Sequence, residues 1–238
     1  MSTLTAQNRE RLKEVSVATI STALMKKGLR NQVIYGVRPI NPKASRMVGE
    51  AYTLRYIPAR EDLDHIKVFE DRSHPQRKGI EECPPGHVFV IDSRKDARAA
   101  SAGAILITRL MKRGAAGIVT DGGFRDSPDL ADLDFPTYQV QPSAPTNLTR
   151  HHAMDLNVPI GCGDVAVYPG DILVGDAEGV VVIPAGIANE IADEAWAMTQ
   201  FENFVEEQVR AGRTIFGLYP PDEKTRAEFE AYRAKQKK

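Results

Sequence analysis

An arginine and an aspartate stand side by side at positions 125 and 126, shortly after the glycine pair Gly122 and Gly123. Arg125 could bind a carboxylate through two parallel hydrogen bonds, and Asp126 could hold a hard cation such as Mg²⁺. The glycines would let a ligand approach the backbone, because they carry no side chain. The pattern therefore indicates a site for a small carboxylated metabolite, although a solvated surface turn with a local ion pair has the same sequence.

A helix followed by a buried strand is predicted to position this pair. The helix begins near Ser101, a plausible N-cap, and ends near Gly114; its apolar residues recur at helical spacing. These residues are Ile105, Leu106, Leu110 and Met111. The strand at 117–119 must end at the glycines. If the helix packs against the loop, its first amides, at Ala104, Ile105 and Leu106, would form an anion-binding end.

The rest of the chain alternates between helical and strand-like patterns. We predict one or two helices over 5–28, a polar loop with a short helix over 58–80, a long helix over about 186–210, and a charged terminal helix or tail after it. Strands are predicted within 33–57, at 87–92, at 135–141 and in succession over 158–184.

Composition points to an ordinary globular protein of 238 residues with a net charge of −1. This balance gives no sign of nucleic-acid or membrane binding, and no stretch of eighteen apolar residues occurs. The N-terminal stretch lacks a secretory apolar core, so we expect a cytoplasmic location. Two cysteines without metal-binding spacing fit reduced thiols.

Three further patterns are weaker candidates for function. The acidic and histidine residues within 58–80 lack a ligand repeat, and adjacent His151 and His152 do not share a helix face. A GxGxxA match at 161–166 is followed by a proline and a glycine, which would break the helix that a dinucleotide site needs. We interpret all three as structural.

Two separated motifs resemble the RraA-like family. They are GAAGIVTDGGFRD over 114–126 and PGDILVGDAEGVVVIP over 169–184, and the resemblance extends from about Val17 to Gly212. This family includes class II 4-hydroxy-4-methyl-2-oxoglutarate/4-carboxy-4-hydroxy-2-oxoadipate aldolases and regulators of ribonuclease E activity. The resemblance implies a single α/β domain over 1–238, an αββα sandwich similar to phosphohistidine swivelling domains, with 213–238 as a C-terminal tail or helix. It also implies a homotrimer or homohexamer with sites between subunits.

The resemblance also assigns roles to residues. Arg125 matches the arginine that binds the substrate carboxylate, and Asp126 matches the aspartate that ligates Mg²⁺ or Mn²⁺. Backbone amides at Ile105 and Leu106, next to Ala104, match those that bind the pyruvyl group. Glu202 matches a glutamate that an adjacent subunit contributes through metal-bound water.

Two positions depart from the family pattern. The aldolases carry an acidic residue where this chain has Ala104, and many relatives carry an aspartate where it has Thr22. Alanine cannot orient metal-bound water or accept a proton. The resemblance therefore implies a divergent metal-dependent lyase, cleaving or decarboxylating a small 2-oxo acid through an enolate. The alternatives are a dehydratase or hydrolase of a 2-oxo sugar acid, and a non-catalytic binding protein like the ribonuclease E regulators.

Overall fold

The computed structural model describes residues 4–236, and these form a mixed α/β fold around a large sheet. The helices are α1 (Ala6–Glu14), α2 (Val17–Lys26), α3 (Pro75–Glu82), α4 (Ala104–Lys112), α5 (Ser127–Ala131), α6 (Ala188–Arg210) and α7 (Glu223–Gln236). The strands are β1 (Val33–Ile34), β2 (Arg38–Pro39), β3 (Met47–Pro58), β4 (His87–Asp92), β5 (Gly117–Thr120), β6 (Gly123–Phe124), β7 (Thr137–Gln139), β8 (Gln141–Pro142), β9 (His151–Leu156), β10 (Ile160–Cys162), β11 (Val165–Val167), β12 (Ile172–Asp176) and β13 (Gly179–Ile183).

Parallel pairing at the centre of the sheet determines where the site lies. The strand order is β1-β13-β12-β3-β4-β5-β7-β2, and β9 pairs with β3. Strands β3, β4, β5 and β7 run parallel to one another. Their carboxyl ends therefore open on one edge of the sheet, where ligands bind in many open α/β sheets.

The core follows from the alternation of side chains along the strands. On β4, Val88 and Val90 pack with the hairpin of β10 and β11, whereas Phe89 and Ile91 pack with α3 and α4. Helices α1, α2 and α6 cover strands β12 and β13 in a separate apolar cluster. Helix α4 is thus fixed against the sheet by buried residues, chiefly Ile107 and Leu110.

Most predicted elements are confirmed, and the mixed α/β class is confirmed with them. The region 33–40 is broken by a turn at Gly36, whose φ is +83°, into β1 and β2. The predicted terminal helix is α7, which packs back on α6 through an aromatic cluster that includes Phe201, Phe204 and Phe229. Residues 237 and 238 of the predicted tail lie outside the described residues. The assignment of 1–238 to a single domain stays a prediction.

Within residues 4–236, none of the helices combines the length and the apolar character needed to cross a membrane.

Candidate active site

Three loops that follow parallel strands are joined at the candidate site. Ala100, in the loop after β4, forms bridges with Gly123 after β5 and with Thr146 after β7. The Ser101 amide donates to the Gly123 carbonyl at 2.7 Å, and the Arg125 amide donates to the Ala102 carbonyl at 3.0 Å. These backbone bonds hold the 123–126 segment against the start of helix α4. Residues distant in sequence are therefore fixed relative to one another.

Helix α4 begins two residues later than predicted. Its N-cap is Gly103, and the predicted cap, Ser101, is wrong. The Ser101 hydroxyl is instead buried with those of Ser93 and Thr120, at oxygen–oxygen distances of 2.6 to 2.9 Å. The local propensity of serine to cap a helix is outweighed here by a hydrogen-bond network between three loops and strands.

The Arg125 and Asp126 side chains lie together beside this helix start. Asp126 Oδ2 accepts a hydrogen bond from the Ala104 amide at 3.0 Å, and Arg125 Nε lies 3.4 Å from Asp126 Oδ1. Asp126 has φ +62°, a left-handed conformation that aspartate tolerates better than most residues. The Arg–Asp pair is long and half-exposed, so the guanidinium retains free donors for a ligand.

Two amides of α4 remain available to a ligand. Helix geometry leaves the first-turn donors without carbonyl partners, and Gly103 provides no side-chain cap. Ala104 donates to Asp126, and Ile107 donates to the Gly103 carbonyl, so the unpaired amides are those of Ile105 and Leu106. The Ile105 side chain, one of the apolar residues at helical spacing in this helix, is 84% exposed.

A cavity of about 340 Å³ adjoins these groups. Its volume is at the lower end of the range for small-molecule sites. Its lining combines the site described above with residues from 66–77 and 146–147. The full set is Ile66, Phe69, Gln76, Arg77, Ala100, Ala102, Gly103, Ile105, Leu106, Arg125, Asp126, Thr146 and Asn147. Ala104 is at the start of the helix that borders this cavity, where the aldolases of the family would place an acid.

Glu202 does not join this site within one chain. It lies on α6, where its Oε2 accepts a hydrogen bond from Thr19 Oγ1 at 2.9 Å. Thr22, on α2, donates its hydroxyl to the Ala18 carbonyl. The contribution of Glu202 from an adjacent subunit therefore stays a prediction.

The two cysteines are poor nucleophiles. Both are free and buried. Burial raises the pKa of Cys83 to about 12 and that of Cys162 well above its ordinary value. Because the thiolate is the reactive form, neither residue is set up for covalent catalysis at neutral pH.

Several cavity residues escaped the sequence analysis, which interpreted 58–80 as a solvated loop with a short helix. Phe69, Gln76 and Arg77 come from that region, and Asn147 comes from a 3-10 helix over Asn147–Thr149. Gln76 and Ile80 are both buried, at helical spacing, and this was the available signal for a packed helix. Nothing in the local sequence indicates that Arg77 lines the same cavity as Arg125.

Comparison with known proteins decides the family. A sequence model of the RraA-like family (Aldolase/RraA) matches residues 17–182. The chain belongs to the RraA-like family. This confirms the resemblance that the two motifs predicted.

Individual relatives of this RraA-like protein carry different descriptions. A putative 4-hydroxy-4-methyl-2-oxoglutarate aldolase of Halalkalibacterium halodurans is 33% identical over 163 residues, which are 67% of this chain and 69% of that protein. The crystal structure of Streptomyces coelicolor RraAS2, described as an unusual member of the RNase ES inhibitor RraA family, is 28% identical with a TM-score of 0.75. It covers 87% of this chain and 98% of its own. An uncharacterized protein from Pseudomonas syringae pv. tomato superposes with a TM-score of 0.79 at 23% identity, over 92% of this chain and 100% of its own, and shows the fold alone.

Proposed function

We propose that this RraA-like protein is a lyase that breaks a carbon–carbon bond in a small 2-oxo acid and releases pyruvate or a related 2-oxo acid. The observation that carries the proposal is the convergence of Arg125, Asp126 and the unpaired amides of Ile105 and Leu106 on one cavity. The similarity to a protein described as an aldolase supports the same class of reaction.

Arg125 binds the carboxylate of the 2-oxo acid in this proposal. Its guanidinium can present two parallel donors to the two carboxylate oxygens. The backbone bond from the Arg125 amide to the Ala102 carbonyl fixes the start of the side chain. The substrate carboxylate is thereby oriented relative to the first turn of helix α4.

The unpaired amides of Ile105 and Leu106 receive the 2-oxo oxygen. When the carbon–carbon bond breaks, its electron pair stays on the 2-oxo acid fragment, and negative charge develops on this oxygen. Fixed amide donors and the positive end of a helix dipole stabilise that charge without reorganising. A proton then returns to the methylene carbon to give the keto product.

Asp126 would hold a divalent cation at the same place. A single carboxylate fits Mg²⁺ or Mn²⁺ when water and substrate oxygens complete the shell, and the bond from the Ala104 amide fixes one of its oxygens. When bound, the cation supplies positive charge that stabilises the enolate. No group of three or more histidine, cysteine or acidic residues suited to a metal occurs in the described part of the chain. A homo-oligomer that brings Glu202 of a neighbouring copy to Asp126 would add a second carboxylate.

Ala104 limits how protons move in this site. Aldol cleavage requires removal of a hydroxyl proton, whereas decarboxylation does not. Among the described residues that line the cavity, Asp126 is the only carboxylate. In the proposed reaction, water therefore carries the proton that an acid at position 104 would otherwise transfer.

A binding protein without activity is the second candidate. Ala104 favours it, since the acid of the aldolases is missing, and so does the similarity to RraAS2. Such a protein would tolerate loss of Asp126 without losing partner binding. A dehydratase of a 2-oxo sugar acid would use the same enolising groups and would release water instead of a second carbon fragment.

Pyruvate release from a panel of 2-oxo acids, including oxaloacetate, tests the proposal. We expect turnover that depends on Mg²⁺ or Mn²⁺ and is abolished in Arg125→Met. Arg72→Met is the matched control, because Arg72 is exposed and does not line the cavity. Metal binding without turnover of any 2-oxo acid would contradict the lyase, and water elimination from a sugar acid would replace it with the dehydratase.

A further inference from the structure

A second arginine, Arg77, lines the same cavity as Arg125 and has no role in the reaction proposed above. It lies on α3, far in sequence from the Arg125 loop. Its guanidinium carbon is 4.3 Å from the centre of the Phe69 ring, which also lines the cavity. Stacking on an aromatic ring orients a guanidinium and leaves its edge donors free.

Arg77 lacks an anionic partner in the described part of the chain. Among the described residues it forms no ion pair and no hydrogen bond, and its Nε is buried without a partner. By contrast, the neighbouring Arg109 pairs with Glu81. Burial lowers the pKa of Arg77, which reflects the cost of keeping this cation away from water. A bound anion would offset that cost.

Two amide side chains of the cavity lining each have one buried polar atom without a hydrogen-bond partner. Gln76 and Asn147 are almost completely buried. Gln76 donates from Nε2 to the Ser101 carbonyl at 2.6 Å, and its Oε1 has no partner; Asn147 Nδ2 has none either. Buried polar atoms are rarely left unpaired in proteins, so this part of the lining is suited to a polar ligand group.

We infer that Arg77 is a specificity-determining residue, which binds a second anionic group on the substrate while Arg125 binds the carboxylate at the 2-oxo end. The inference rests on the proposed function, which identifies the group at Arg125 as the carboxylate of a 2-oxo acid. It adds that the cavity selects 2-oxo acids with two anionic groups over those with one.

The charges along the cavity support this selection. The charged residues in its described lining are Arg77, Arg125 and Asp126. A monocarboxylate can pair with Arg125 but leaves Arg77 unpaired. A dianion compensates both arginines, and it gains a charge-assisted hydrogen bond that the monoanion lacks.

Calorimetric titration with pyruvate and with 2-oxoglutarate, at saturating Mg²⁺, tests the inference without relying on turnover. We expect the wild-type protein to bind 2-oxoglutarate more tightly. Arg77→Met keeps an apolar stem against Phe69 and removes the charge, so it should weaken 2-oxoglutarate binding about 10- to 100-fold and leave pyruvate binding unchanged. Arg77→Lys should recover part of the loss. Arg125→Met should weaken both ligands, and Arg72→Met should weaken neither.

Three results would overturn the inference. These are equal affinity of the wild-type protein for the two ligands, equal weakening of both in Arg77→Met, and no weakening of either. Turnover is a separate measurement. Selective binding through Arg77 without cleavage of any 2-oxo acid would contradict the proposed lyase and support the inference. Cleavage of a 2-oxo acid that does not depend on Arg77 would support the proposed lyase and contradict the inference about Arg77.

Discussion

The Asp126 carboxylate accepts a hydrogen bond from the Ala104 amide at 3.0 Å, which joins the Arg-Asp loop to the first turn of helix α4. One oxygen of the carboxylate is therefore held by the helix, and the other lies near Arg125. This contact places a potential metal ligand beside the two amides that remain unpaired. The same backbone position is where the family's aldolases would carry an acid.

Asp126→Asn should reduce metal binding without unfolding the protein. Asparagine tolerates the left-handed conformation at this position, and its amide oxygen can still accept from Ala104. It lacks the charge that a divalent cation requires, so we expect Mn²⁺ affinity to fall about 10-fold or more, measured by calorimetry. Asp129→Asn, at an exposed position on α5, is the control. Unchanged Mn²⁺ affinity in Asp126→Asn would remove Asp126 from the metal site.

Gly103→Ala should damage the site sterically. A Cβ at this position would lie 2.6 Å from Asp126 Oδ2 and 2.7 Å from Arg125 Cγ. Both side chains would have to move, and displacement of about 1 Å in a reacting geometry can cost on the order of 100-fold in rate. We expect such a loss in kcat/KM, with a destabilisation of about 1–3 kcal/mol in chemical denaturation.

Gly186→Ala is the matched control for that substitution, because an added Cβ there meets no atom within 4 Å. Its free energy of unfolding should stay within about 0.5 kcal/mol of the wild-type value. Full activity in Gly103→Ala would show that the close approach of this glycine to Asp126 and Arg125 is unimportant.

Ala104→Asp should favour aldol cleavage. The new carboxylate would supply the proton-transfer group that this chain lacks, and such groups typically contribute about 100- to 10,000-fold. We expect the ratio of aldol cleavage to decarboxylation to rise at least about 10-fold in a coupled pyruvate assay. Ala104→Asn, which has a similar size and no charge, should leave the ratio unchanged. An equal rise in both variants would attribute the effect to packing and not to proton transfer.

Asp96→Asn should weaken the loop that leads to the site in a pH-dependent way. Both oxygens of Asp96 accept from Arg98 at 2.8 Å, and Arg150 lies 3.3 Å away. The hydrogen bonds from Arg98 hold the pKa of Asp96 below its ordinary value. A lowered pKa means that the stabilisation is present above the unfolded value, roughly pH 4, and is lost as the pH falls through the lower folded value.

The free energies of unfolding of wild type and Asp96→Asn should therefore differ by about 1 kcal/mol at pH 7 and converge progressively as the pH falls from about 4 toward the lower folded pKa. Urea denaturation at several pH values measures this difference. A difference that persists unchanged at low pH would assign the effect to packing or to the neutral hydrogen bonds.

Local patterns were sufficient to predict most of the fold. The β-branched run in β4 and the strands between 158 and 184 follow from short-range periodicity, and so do the ends of α2 and α6. The start of α4 could not be predicted from local patterns, because the Ser101 hydroxyl forms hydrogen bonds with Ser93 and Thr120 and does not cap the helix. Such contacts between distant segments outweigh capping propensity and cannot be deduced from the local sequence.

The candidate site was predictable only where it is continuous in sequence. Arg125 and Asp126 form a recognisable motif, and the amides of Ile105 and Leu106 were predicted from the start of the helix as well as from the family resemblance. Arg77 was not predicted, because its place in the cavity that Arg125 also lines depends on how α3 packs beside α4. Glu202 is the opposite case: the family resemblance assigns it to the site, and within one chain it accepts a hydrogen bond from Thr19.

Exchange of the methyl protons of pyruvate in deuterated water, followed by NMR in the presence of Mg²⁺, tests the central claim most directly. A lyase that protonates a pyruvate enolate must also remove that proton in reverse, so no knowledge of the full substrate is needed. The account predicts protein-dependent exchange in the wild type, its loss in Arg125→Met, and its retention in Arg72→Met. Absence of exchange in the wild type at saturating pyruvate, or exchange that persists in Arg125→Met, would contradict it.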